Sequence, residues 1–205
     1  MTTSAAAALI RSAETLFAER GSDRVSVREI VFASGVTNVS AVNYYFGGRR
    51  GLVRAVLAKH DAAVDVHRHQ MLDAVEASGD SSVRLIAEAL VVPLARELDN
   101  DDGGLGYLQL MSDLYNRPAA TFDPDRNDAG SSIERWRASA RPLLTPDGVR
   151  LHRRFDAMRF TVAELARRGH AGRKDHRLFT SQLTDLVGAL LAAPVSDETA
   201  RLMRR

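Results

Sequence analysis

Residues 40–50 read SAVNYYFGGRR, a run rich in hydrogen-bonding groups and poor in ordinary core residues. Asn43 has an amide that can pair with a base edge through two hydrogen bonds. Ser40 and the two tyrosines carry hydroxyls that reach bases or phosphates. Ala41 is small enough for close approach. Gly47 and Gly48 permit a sharp turn, after which a helix N-terminus offers free N–H groups to a phosphate, with Arg49 adding charge. The chemistry in this mixture is recognition of an anionic, base-bearing polymer and not bond-making.

Other constellations are weaker. Cysteine is absent, so there is no disulfide framework, thiolate metal site or thiol nucleophile. Neither GxSxG nor HExxH occurs, and no strand precedes the Gly-Gly-Arg-Arg run to make it a phosphate loop. His60 and His67 lie seven residues apart on one helix face, with His69, Asp61 and Asp65 nearby. No clear third ligand accompanies them, so they read as solvated groups, and neither a metal nor a cofactor is expected.

The elements that must position residues 40–50 are helical. Period-2 alternation is not sustained anywhere, whereas 3.6-residue patterns recur throughout, which predicts an all-α chain of nine or ten helices. The first covers about residues 4–20, with Leu9, Ala13, Leu16 and Phe17 on one face and Gly21 as its stop. Ser26 followed by Glu29 is a capping box that opens a second, short helix ending at Gly35. A third covers about 39–45, with Val42 and Phe46 inward and Ser40, Ala41, Asn43 and Tyr44 outward. A fourth covers about 49–60. Two short helices around a tight turn, packed on a longer one, make a helix-turn-helix. Longer helices follow at about 61–78, 81–98 (with a kink at Pro93), 105–115, 132–144, 147–168 and 175–193. A polar loop covers 116–130. The composition shift near residue 60 divides a domain 1–60 from a domain 61–205, joined through a shared helix and not a flexible linker.

The net charge is only +2, but residues 1–60 hold eight Lys/Arg against four Asp/Glu, so the basic charge sits at this end. That distribution suits a local anionic partner. The start of the chain lacks a basic n-region and no apolar run approaches the roughly 20 residues of a membrane span, so a cytoplasmic location without membrane association is expected.

The stretch LIRSAETLFAERGSDRVSVREIVFASGV and the junction NYYFGGRRGL closely resemble the N-terminal domain of tetracycline-repressor-like (TetR-family) regulators, over about residues 8–59. The resemblance implies a recognition helix at residues 39–45, DNA contacts from Ser26 and Arg28 at the start of the second helix, and phosphate binding by Arg49. With the outward residues above, the expected DNA-binding set is Ser26, Arg28, Ser40, Ala41, Asn43, Tyr44, Tyr45 and Arg49. The sequence departs from the family pattern in three places. It has one more residue between Gly35 and Phe46, which leaves the roles of Thr37 and Asn38 open; Arg50 stands where an acidic residue is usual; and Gly51 stands in the first turn of the fourth helix.

The resemblance further implies a C-terminal helical bundle that binds a small-molecule effector and forms a homodimer through the last two long helices. Leu151, Phe155, Met158, Val162 and Leu165 recur at 3/4 spacing there, as do Phe179, Leu183, Leu186 or Val187, and Leu190. Leu151, Val162, Phe179, Leu183, Val187 and Leu190 are the expected interface, since one chain cannot bury both stripes. Tyr107, Met111, Tyr115, Trp136, Phe155 and Met158 supply large apolar faces with a few polar tips, the mixture expected to line an effector pocket. The expected function is a sequence-specific transcriptional regulator, a repressor released from its operator by a small ligand, and not an enzyme. The rival readings are an enzyme assembled on a helical bundle and a protein that binds DNA without sequence preference. The modest net charge disfavours the second.

Overall fold

The computed structural model describes residues 4–38, 40–80, 82–117 and 130–204. Among these every regular element is helical: α1 (Ala5–Arg20), α2 (Val27–Ala33), α3 (Ala41–Phe46), α4 (Arg49–Ser78), α5 (Val83–Ala95), α6 (Gly104–Tyr115), α7 (Ser132–Ala140), α8 (Pro146–Arg150), α9 (Arg153–His170), α10 (Arg177–Ala192) and α11 (Asp197–Leu202). Most of the polar loop expected at 116–130 lies outside the described residues.

The head, α1–α3 and the start of α4, is built around Leu9, Ala13, Phe17, Ile30, Val31, Val42, Leu52 and Val56, all buried. The sequence codes its boundaries locally. Ser4 caps α1 by accepting from the Ala7 N–H, and Gly21 ends that helix. Ser26 and Glu29 form the expected capping box on α2, each side chain bonding the other's backbone N–H. The Ser26 backbone N–H, then its hydroxyl, then Arg20 hold the Glu29 carboxyl down at about 2.

The largest difference from expectation is α4. The helices expected at 49–60 and 61–78 are one helix of 30 residues. Nothing between Leu52 and Ser78 is a glycine or a proline, so no residue there breaks the helix. Leu52, Val56, His60, Val64, Arg68 and Leu72 recur every fourth residue along it and all are buried. The first half of that stripe packs in the head and the second half in the body, so the residue-60 boundary falls inside one continuous rod.

In the body, α5 packs on α4 and α10, and α6 packs on α9 and back onto α1. Gly106 permits the α1–α6 approach: a Cβ there would lie 2.1 Å from the Glu14 carbonyl oxygen. The helix expected at 147–168 is split, because His152 adopts a left-handed conformation (φ 55°) between α8 and α9. Such a conformation is uncommon for a residue with a Cβ.

Half of the residues expected at the chain-to-chain seam are covered by the chain's own helices. Val162, Leu183 and Val187 are buried within the chain itself, where α9 and α10 pack against each other and α10 packs on α5. Leu151, Phe179 and Leu190 are half-buried. The large apolar residues that α10 turns outward are Leu178, 82% exposed, and Leu186, 44% exposed. Periodicity located both stripes but could not say which one the monomer's own α5 covers.

Candidate nucleic-acid interface and interior cavities

The turn from α2 into α3 passes through Gly35 (φ 70°), and the turn from α3 into α4 through Gly47 (φ 69°) and Gly48 (φ 107°). Positive φ at two successive residues is cheap only for glycine. It lets α4 leave almost immediately after a recognition element of six residues. Asn43 and Tyr44 project into solvent, Tyr44 being 79% exposed. Tyr45 is 47% exposed and meets the Tyr44 ring edge-on with centroids 4.9 Å apart. Ser40, Ser26 and Arg28 are exposed too.

Two expected members of this set point elsewhere. Ala41 is buried at 1% exposure beside Val42, in a helix that packs on α4 and α1. Arg49 is half-buried, and its guanidinium donates to the backbone carbonyls of Val25 and Ser22. Burial, with the Arg117 guanidinium adding to it, pulls its pKa down from the ordinary value. Arg49 therefore ties the start of α4 to the turn before α2. Gly48 caps that end without a side-chain bond.

Gly51 also acquires a reason. A Cβ at this position would lie 1.6 Å from the Phe46 carbonyl oxygen. The glycine allows α3 and α4 to meet this closely. Gly51→Ala is expected to cost about 1–3 kcal/mol by overpacking against backbone that has nowhere to go. The expected readout is a lowered melting temperature together with weakened DNA binding.

Behind the head lies a buried polar joint that sequence reasoning missed. His60, expected as a solvated group, is 2% exposed. Its Nε2 lies 2.9 Å from Glu14 Oε1 on α1, and its Nδ1 lies 2.7 Å from Glu97 Oε2 in the 3₁₀ turn after α5. Both ring nitrogens face carboxylate oxygens, so the ring must be an imidazolium to donate to both. Burial opposes that charge, but the hydrogen bonds to Glu14 and Glu97 outweigh it and raise the His60 pKa to about 9. Lys59 Nζ adds a 2.9 Å contact to Glu14 Oε2, and Asn100 donates to Glu97 Oε2 at 2.8 Å. A second strap ties α6 to the head: Asp113 accepts from the Ser22 backbone N–H, and Arg117 pairs with Asp23. One sequence signal pointed here, the four-residue period of the α4 stripe, which sets His60 and Arg68 in line with Leu52, Val56, Val64 and Leu72.

Two of the cavities in the body take in the residues expected to line a pocket. The inner one, of about 60 Å³, is lined by Tyr107, Met111, Tyr115 and Met158 with Asp61, Asp65 and Arg68. Tyr107 donates to Asp61 Oδ1 at 2.7 Å. Arg68, 3% exposed, donates to the Ala89 carbonyl and to Ser132 Oγ. The outer one, of about 220 Å³, is lined by Trp136, Phe155 and Met158 with Arg137, Val149, His152 and Arg154. The six residues expected to line one apolar pocket are thus divided between two chambers, with Met158 in the wall of both. Trp136 also serves the core, its Nε1 donating to the Ile86 carbonyl at 2.8 Å. The inner chamber is more polar than expected, because the three ionisable groups of α4 at residues 61, 65 and 68 face it.

A short helix presenting exposed Asn and Tyr side chains, set off by glycine turns and carried on a three-helix head, defines a helix-turn-helix DNA-binding protein. Residues 9–56 match the family model described as bacterial regulatory proteins, tetR family. A comparison with curated proteins returned no match. Residues 9–56 thus form a tetR-type helix-turn-helix DNA-binding domain. No helix among the described residues is long and apolar enough to cross a membrane.

Proposed function

We propose that this chain is a repressor that leaves its operator when a small molecule occupies the body. Asn43, Tyr44 and Tyr45 on α3 read base edges in the major groove. Ser26, Ser40, Arg28 and the N–H groups opening α4 hold phosphates. Two chains pair through α9 and α10, with Leu178 and Leu186 on the shared face, and set their recognition helices on half-sites about one helical turn apart.

The observation that carries the regulatory reading is the contact between cavity and joint. The Tyr107 ring, in the wall of the inner chamber, stacks on the His60 ring with centroids 4.9 Å apart. His60 in turn is bonded to Glu14 of α1. A ligand that displaces Tyr107 or tilts α4 therefore acts on the helix that carries the head. A difference of about 1–3 kcal/mol in ligand affinity between the two head arrangements changes operator affinity by roughly 5–150-fold.

Linkage supplies the test. Ligand affinity is measured by calorimetry with and without saturating operator, and operator affinity with and without saturating ligand. The two ratios are expected to be equal. Tight ligand binding that leaves operator affinity unchanged removes the induction mechanism and leaves the DNA-binding assignment standing.

A further inference from the structure

The two chambers differ in charge. The outer chamber takes Arg137, His152 and Arg154 into its lining and no carboxylate among the described residues. The inner chamber takes in Asp61 and Asp65 against the single cation Arg68. Between them the wall is thin and soft: Met158 belongs to both linings, and the Phe155 ring at the outer side contacts the Tyr115 ring at the inner side with centroids 5.8 Å apart. An unbranched thioether changes rotamer easily, so Met158 can swing aside and join the chambers. Neither chamber alone reaches the roughly 300 Å³ at which small-molecule sites begin, whereas the joined space approaches it.

We propose, building on the repressor reading above, that the effector is an elongated acidic molecule. Its carboxylate sits against Arg137, His152 and Arg154, and its apolar body runs past Trp136 and Met158 toward Tyr107. The orientation follows from the charges. An anion pushed inward meets Asp61 and Asp65, whereas one held outward meets guanidinium donors. Arg137 is already paired with Glu134, and one Arg154 Nη donates to the Arg137 carbonyl at 2.7 Å. A guanidinium has five N–H donors, so Arg154 retains donors for a ligand carboxylate and is the principal anchor. His152 stands at the same wall with its left-handed backbone, and residues held in sparsely populated conformations cluster at ligand clamps.

The chain has a single tryptophan, Trp136, and it lines the outer chamber, so its emission reports occupancy directly. The probes are 4-phenylbutyrate, its neutral amide and 4-phenylbutylamine, titrated by tryptophan emission and by calorimetry. The acid is expected to bind about tenfold or more tightly than the amine, the margin of one charge-assisted contact. Arg154→Gln is expected to erase that preference while Arg154→Lys keeps part of it, with melting temperatures confirming that both variants fold. Equal or tighter binding of the amine overturns the acidic class. Failure of all three probes to bind at millimolar concentration overturns the joined-chamber site. Preferential binding of the acid with no change in operator affinity supports the ligand class and contradicts only the repressor reading on which it builds.

Discussion

His60→Ala is expected to lose about 3–5 kcal/mol of folding stability at pH 7, because it leaves Glu14 and Glu97 buried without their shared cation. Glu14 is 1% exposed and Glu97 5% exposed, so water cannot replace the lost imidazolium. Lys59 still pairs with Glu14, but among the described residues no other cation is bonded to Glu97. The pH dependence identifies the mechanism. The His60 pKa is raised in the folded chain from 6.5 to about 9. Its contribution is therefore fully present below pH 6.5 and is lost as pH rises through about 9. Chemical denaturation of the wild type is expected to give decreasing stability across that window. The variant should lack that decrease. A variant with wild-type stability at pH 7 and the same pH profile would show that the joint is not an ion pair.

What the sequence made legible follows from how local each signal is. The capping box at Ser26 and Glu29, the glycines at 35, 47 and 48, and the apolar spacing of α1 are written within a few residues of where they act. Head architecture and the exposure of Asn43 and Tyr44 could be read from them. The direction of Arg49 could not, because its carbonyl acceptors lie 24 and 27 residues earlier in the chain. His60 looked like a surface histidine for the same reason, since its partners Glu14 and Glu97 lie 46 and 37 residues away. Only the four-residue period of α4 hinted that both His60 and Arg68 are inside. The outward and inward faces of α10 were hard to separate because Leu178 and Leu186 put apolar side chains on the outward face as well. Which one is covered depends on where α5 packs, and periodicity within α10 carries no information about that.

The double variant Asn43→Ala/Tyr44→Ala is expected to reduce binding to the operator to the level of unrelated DNA, a loss of about 10³-fold or more. Each side chain is expected to supply about 1–3 kcal/mol of base discrimination. Both project from a head whose core they do not share, so the variant should keep the wild-type melting temperature. Arg28→Ala should act differently, weakening all sequences about equally and lowering the salt slope by about one. Arg49→Ala should act differently again, lowering the stability of the head through the loss of its bonds to Val25 and Ser22.

Selection from a random pool of double-stranded DNA tests the central claim most directly, with the wild type and the Asn43→Ala/Tyr44→Ala variant run in parallel. The wild type is expected to enrich one motif made of two inverted half-sites, and the variant to enrich none while still binding DNA weakly and in a salt-dependent way. A wild type that enriches nothing, or a variant that enriches the same motif with the same affinity, would contradict the assignment of α3 as the element that reads sequence.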